Sequence, residues 1–175
     1  DSLKHLFFIY DDLDDVINER SCAYGRGIHP KQRLMRYNDF FLHNIHNGEN
    51  VLDIGCYHGE TSAYIAKHRP NSKVMGVEID PVKCNLARAT HILANLNFVA
   101  ADATRDLPPG QWDIIILSNV LEHIENRVEF LKKILNQVRP QKVLIRLPNF
   151  EKSWHLPLRK ELGIYYFSDP THYIE

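Results

Sequence analysis

The run Val51-Leu-Asp-Ile-Gly-Cys-Tyr-His-Gly59 constrains this chain more than any other: a short apolar segment breaks at one glycine and meets a second just before a helical pattern. Val51, Leu52 and Ile54 suit a strand covered on both faces, as the strands of parallel sheets are. Gly55 allows a sharp turn, and Gly59 allows the next helix to begin close to something bound at its mouth. Strand, tight turn and helix in that order place a ligand site at the carboxyl end of the first strand of a doubly wound α/β sheet. Asp53 narrows the choice of ligand. A carboxylate among the last strand residues repels a pyrophosphate, and Gly55-x-x-x-Gly59 departs from the G-x-G-x-x-G spacing, so nicotinamide and flavin dinucleotides are disfavoured on both counts. A ligand with a cationic amino-acid end suits the site better.

Downstream the strand and helix patterns alternate. Strands are predicted at 73–79, 97–101, 113–117 and 142–147, which implies right-handed crossovers and a mainly parallel sheet. Helices are predicted from Gly59 to His68 and from Pro81 to about Leu93, the latter with Asp80 as N-cap. A third, long helix turns Leu121, Ile124, Val128, Leu131, Leu135 and Val138 inward and stops at Arg139-Pro140. Ahead of the sheet, Leu6, Tyr10, Leu13 and Ile17 mark one face of a helix over 2–19, and residues 21–30 read as a loop. A second N-terminal helix carries Leu34, Tyr37, Phe41 and Ile45 inward and ends near Asn47-Gly48. Residues 1–49 are expected to form a lid or cap on a domain of 50–175, whose last part holds a short helix near 156–162.

Three acids fall at the carboxyl ends of the first three strands: Asp53, Glu78 and Asp102. Glu78 stands nineteen residues past Gly59, where nucleotide-binding sheets place an acid on a ribose diol. Ile79 beside it offers a face for adenine, and Asp102 can accept from an exocyclic amine. With Asp53-x-Gly55-x-x-x-Gly59, this set resembles the cofactor site of class I S-adenosylmethionine-dependent methyltransferases, whose loop has a third glycine where Tyr57 stands here. Leu117-Ser-Asn-Val-Leu-Glu-His-Ile124 is similar to the segment after the fourth strand in the small-molecule branch of that family. The resemblance covers roughly residues 50–149.

It implies a Rossmann-like fold and S-adenosyl-L-methionine as cofactor, with S-adenosyl-L-homocysteine as product. Asp53 then lies near the cofactor's amino-acid end or its ordered water, with Gly55, Cys56, Gly59, Ile79, Ala103, Ser118 and Asn119 completing the site. Methyl transfer to a hydroxyl needs alignment and removal of a proton. His123, just past the fourth strand, is the candidate base. His29, Arg33 and His172 are candidate acceptor-binding residues, because His29-Pro-Lys-x-Arg-Leu-x-x-Tyr37 and Asp169-Pro-Thr-His-Tyr-Ile-Glu175 resemble flanks of bacterial glycan-associated methyltransferases. Family members usually continue past the fifth strand through a helix and two antiparallel strands. Only residues 148–175 follow it here, so a five-stranded sheet with one uncovered edge and a natural extension beyond Glu175 are expected.

The chain of 175 residues is 44% hydrophobic and 25% charged, within the range of soluble globular domains. A formal net charge of −1 argues against sequence-blind attraction to nucleic acid. The segment after the fourth strand also lacks the Asn/Asp-Pro-Pro-aromatic run of enzymes that methylate base amines. No apolar run is long enough for a membrane helix, no basic-then-apolar leader opens the chain, and Cys22, Cys56 and Cys84 stand apart without a C-x-x-C pair. The expectation is a cytoplasmic methyltransferase acting on a small polar or saccharide hydroxyl, with no metal. A binding module without turnover and a nicotinamide-dependent oxidoreductase are the rival readings.

Overall fold

A computed structural model describes residues 2–26, 29–149, 153–166 and 171–174. The chain divides into two compact units, Asp1–Asp39 with Phe150–Tyr166, and Phe40–Asn149 with Phe167–Glu175.

The first unit is helical. Its α1 (Ser2–Tyr24) outruns the expected end at residue 19, because no glycine or proline interrupts the sequence before Gly25. Leu6, Tyr10, Leu13 and Ile17 do form one stripe, yet all four are about half exposed, and Phe7 on a neighbouring face is the buried residue of the helix. Arg159, on α7 (His155–Glu161), explains why Phe7 is chosen. Its buried guanidinium lies 4.5 Å from the Phe7 ring, donates to the Phe7 carbonyl at 3.3 Å, and forms a two-pronged pair with Asp11 at 2.5 and 3.0 Å. The single second helix expected from the sequence is instead α2 (Lys31–Leu34) and α3 (Asp39–Asn44), with Arg36 between them at φ +50°, a left-handed conformation that no helix continues through. Leu34 consequently faces solvent, while Phe41 and Ile45 are fully buried.

The second unit is a five-stranded, all-parallel sheet in the order β3-β2-β1-β4-β5, made of β1 (Val51–Ile54), β2 (Val74–Glu78), β3 (Leu96–Ala100), β4 (Ile114–Ser118) and β5 (Lys142–Arg146). Strand alternation sorts the core into two layers. Leu52, Ile54, Ile115 and Leu117 pack on one face with Phe130 and Ile134; Val51, Ile114 and Ile116 pack on the other with Phe41, Ile45 and Ile65. Central β1 and β4 are therefore buried on both sides, as their Val/Ile/Leu-rich character requires, with Asp53 the one charged residue among them.

Helices α4 (Glu60–His68), α5 (Pro81–Thr90) and α6 (Arg127–Gln137) supply the crossovers. Where one helix was expected from Leu121 to Val138, the chain makes a 3-10 turn at Leu121–His123, breaks, and restarts at Arg127. Leu121, Ile124, Leu131 and Val138 still pack on the core as expected. Phe130 and Ile134 point inward, and Val128 and Leu135 are left about half exposed.

At the start of α5, Asp80 accepts backbone hydrogen bonds from Val82 at 2.8 Å and Lys83 at 3.4 Å, with Pro81 in the first turn. Asp80→Ala should lower stability by about 1 kcal/mol, read as a shift of the urea midpoint at constant slope. An unchanged midpoint would show that the cap contributes nothing. Among the described residues, no helix is long and apolar enough to cross a membrane.

Candidate functional site

The turn leaving β1 runs through Gly55 at φ +71°, Tyr57 at φ +52° and Gly59 at φ +84°. A side chain at Gly55 would strike Val120 at 2.6 Å, so the turn passes hard against the segment leaving β4. A side chain at Gly59 would strike the Phe98 ring at 2.6 Å. Gly59 thus makes room for a residue of β3, a packing reason beside the ligand approach expected from the sequence. Tyr57 stands where the resembled family has glycine and occupies the left-handed conformation itself, at a local cost of about 1–2 kcal/mol. Its half-exposed ring lies beneath Lys83 Nζ, 4.8 Å from the centroid, and against His58.

The backbone N–H groups of Gly55, Cys56, Tyr57 and Gly59 are already engaged. Gly55 and Cys56 N–H both donate to the Val77 carbonyl at 2.8 and 3.0 Å, Tyr57 N–H donates to Glu78 Oε2 at 2.9 Å, and Gly59 N–H donates to the Cys56 carbonyl at 2.8 Å. In phosphate-binding turns such donors face the anion. Here the first three stitch the turn to β2, and the fourth closes the turn on itself.

Glu78, buried at the end of β2, is held from both sides, since Oε1 accepts the Asp80 N–H at 3.0 Å. Each oxygen keeps a second lone pair, so a fixed carboxylate can still accept from hydroxyls. Ile79 next to it is 66% exposed, an apolar side chain offered at the rim. Asp102, beyond β3, accepts from the Thr104 hydroxyl at 2.6 Å and backbone at 3.0 Å and pairs with Arg105 at 3.2 Å. The Thr104 hydroxyl above all holds Asp102 below the usual carboxylate range. Ala103 beside it is buried.

Asp53 differs from both. It is 1% exposed and accepts from the Ser62 hydroxyl of α4 at 2.6 Å. Burial raises its pKa to about 7, against the opposing pull of Ser62 and Arg146 and with help from Glu60 and Glu78. Ser62 was not singled out in the sequence, where a serine early in a helix carries no signal. Cys56 is buried, and burial together with Asp53 and Glu78 keeps its thiol protonated.

Along the same sheet edge, the end of β4 presents Ser118, whose hydroxyl accepts from Arg146 Nη2 at 2.5 Å, and Asn119 at φ +56°, whose N–H donates to the Arg146 carbonyl. The 3-10 turn then carries Glu122 and His123. His123 Nδ1 and Thr171 Oγ1 lie 2.7 Å apart, the His123 and His172 rings meet edge to face at 4.5 Å, and Tyr173 N–H donates to the Glu122 carbonyl at 2.7 Å. Two segments nearly fifty residues apart in the chain are thus joined, and His123 and His172, expected separately as base and acceptor ligand, are neighbours. Of the flank Asp169 to Glu175, residues 169, 170 and 175 lie outside the described residues. His29 and Arg33 belong to the helical unit, where His29 Nδ1 accepts the Lys31 N–H at 3.1 Å and so caps the start of α2, while Arg33 is exposed. A shallow cleft at the opposite, amino end of β2 and β3 is lined by Pro70–Val74 and Ala94–Asn97. It carries none of these groups; there Asn95 shares its amide among the carbonyls of Ala66, Arg69 and Ser72, a structural role.

Residues 52–144 match a family described as a methyltransferase domain. The chain belongs to that family. Relatives include a probable (S)-tetrahydroprotoberberine N-methyltransferase 2 of Papaver bracteatum, 33% identical across 51% of this chain and 26% of that protein. Another is the trans-aconitate 2-methyltransferase of Shigella dysenteriae serotype 1 (strain Sd197), 26% identical across 71% and 50%. The chain therefore spans between a quarter and a half of the length of these curated relatives. Among solved structures, the methyltransferase domain of bacterial CtHen1-C superposes with a TM-score of 0.58 at 23% identity, covering 77% of this chain and 75% of that one. Coclaurine N-methyltransferase, bound to N-methylheliamine and S-adenosylhomocysteine, superposes with a TM-score of 0.58 at 22% identity, over 63% and 34%. At these identities the superpositions establish a shared methyltransferase fold.

Proposed function

We propose that this chain binds S-adenosyl-L-methionine at the carboxyl ends of β1, β2 and β3 and transfers its methyl group to the hydroxyl of a small polar or saccharide acceptor. The observation that carries the reading is the row of acids at one sheet edge beside a turn in which the Gly55, Cys56, Tyr57 and Gly59 N–H groups are consumed internally. Such a site suits a cation with a ribose and an adenine better than an anion. Glu78, immobilised by two backbone donors, accepts from the ribose hydroxyls; Ile79 covers the adenine, and Asp102 with Ala103 bounds its amine edge. Asp53 acts on the amino-acid end through water, since its own carboxylate is buried against Ser62. The cofactor supplies an electrophilic methyl on a sulfonium. The protein supplies alignment, and His123 receives the acceptor proton. For that task the His123 proton sits on Nδ1, donated to Thr171 Oγ1, which leaves the Nε2 lone pair free to work.

The names of the relatives include N-methyltransferases, so they do not select the acceptor atom. The hydroxyl reading rests on a histidine beyond β4 and on the flanking segments. Residues 1–49 are proposed to serve as a lid or cap, and His29 and Arg33 as acceptor-binding residues.

Calorimetric titration with S-adenosylmethionine, S-adenosylhomocysteine and NAD tests the cofactor. The first two should bind and NAD should not; the reverse would return the site to the dinucleotides. Glu78→Ala should weaken the sulfonium ligand by a few tenths to about 2 kcal/mol through lost charge-assisted hydrogen bonds, and unchanged affinity would remove Glu78 from the ribose. Turnover on a panel of polyols and sugars then separates an enzyme from a binding module.

A further inference from the structure

We propose that Glu122, His123 and His172 form a binding site for one first-row divalent cation, which holds the acceptor's hydroxyl oxygen beside the methyl donor. The three side chains each bring one ligand atom to within 4.8 Å of the others. An ion with bonds of about 2.0–2.2 Å keeps its ligand atoms roughly 3–3.5 Å apart, so the groups have at most about 2 Å to travel. That movement falls to the two histidines. Glu122 is 1% exposed and fixed on the 3-10 turn, while His123 is exposed and His172 half-buried on a tail segment.

Two further contacts set the geometry. Tyr173 N–H donates to the Glu122 carbonyl, which ties the tail to the turn at the residue next to His172. Thr171 Oγ1 sits 2.7 Å from His123 Nδ1, the outer hydrogen bond that orients a ligating imidazole and leaves Nε2 as the donor atom.

The donor set selects the class of metal. Two imidazoles and one carboxylate suit manganese, iron, cobalt or zinc, whereas magnesium and calcium prefer oxygen donors. Three protein ligands leave coordination positions open, as a catalytic site requires. A hydroxyl bound there loses its proton more readily; the oxygen then forms its bond to the methyl carbon as the sulfonium bond breaks, giving the methyl ether and S-adenosylhomocysteine, with the proton passing to water. The placement, one strand over from β1 on the edge where the cofactor is proposed to bind, is where an acceptor oxygen is needed. The inference rests on the hydroxyl-acceptor reading above and changes the part of His123 from base to ligand.

The test is metal binding, measured on this chain without cofactor or acceptor, so that a failed methylation assay does not bear on it. The metal-free chain is titrated with Mn2+ alone, Zn2+ alone and Mg2+ alone. Mn2+ or Zn2+ should bind once per chain, with Mg2+ weaker by about tenfold or more, and pulsed electron paramagnetic resonance of the Mn2+ form should show nitrogen couplings from imidazole. His172→Ala and Glu122→Gln should each weaken binding by about tenfold or more. Because Glu122 is buried and its variant can fail to fold, His172→Ala with an unchanged melting temperature is the deciding variant. Undiminished Mn2+ and Zn2+ affinity in that variant, or no binding by the parent, overturns the site. Methylation of a hydroxyl that persists in excess chelator also overturns it, while leaving the methyltransferase reading intact. Metal binding with these ligand dependences but methylation of amines alone supports the site and overturns the hydroxyl reading instead.

Discussion

Raising the pH from about 4 to about 8 should weaken the parent protein against urea by roughly 2–4 kcal/mol more than it weakens the Asp53→Asn protein. Asp53 lies in the sheet centre, paired in register with Gly76 on one side and Ile116 on the other, and burial raises its pKa to about 7 from an ordinary value of 3.8. The folded carboxyl therefore keeps a proton that the unfolded chain releases between about pH 4 and pH 7. Over that window the native state binds more protons, so stability falls as pH rises. The contribution is fully present below the unfolded value and gone above pH 7. Asparagine has no proton to lose and can still accept from Ser62. Other carboxylates titrate in both proteins and cancel in the comparison. Parallel stability profiles for the two proteins would show that Asp53 is ionised in the fold at little cost, which would place compensating charge beside it.

His123→Ala should lower turnover on a hydroxyl acceptor by about a hundredfold and leave S-adenosylmethionine affinity nearly unchanged. The reasoning is positional: the histidine belongs to the turn leaving β4, while Glu78 and Asp102 at the ends of β2 and β3 carry the cofactor in this reading. Turnover falls whether the ring takes the proton or ligates an ion. Chelator separates the two, since a base works without metal. Activity within a few-fold of the parent would leave His123 only its contacts with Thr171 and His172. A matching loss of cofactor affinity would mean that the turn at Leu121–His123 had collapsed into the cofactor site.

Much of the fold was legible because its signals are local. An apolar run at Val51–Ile54, isoleucines at 114–116 and the Asp80-Pro81 cap each state their own structure, and the strand ends fall within a residue or so of expectation. The three acids were legible for the same reason, each being attached to a strand end. Legibility failed where one element's conformation depends on another. The run from Leu121 to Val138 has an unbroken helical period, yet the chain breaks after His123, and the packing of Phe130 and Ile134 sets the phase of α6. The stripe of Leu6, Tyr10, Leu13 and Ile17 looked like a buried face, but Arg159, 152 residues from Phe7 in sequence, selects Phe7 instead.

The candidate site divides in the same way. Sequence by itself determined a parallel α/β chain with acids at three successive strand ends and a glycine turn whose spacing departs from the dinucleotide fingerprint, because hydrophobic period, turn chemistry and strand-end placement are properties of neighbouring residues. Only the tertiary structure decided that Gly59 yields to Phe98, that Asp53 is buried on Ser62, and that Glu122 and His123 meet His172. Those outcomes depend on distances between segments remote in the chain, which are fixed when the sheet brings its strand ends to a common edge and the tail folds back onto the turn after β4.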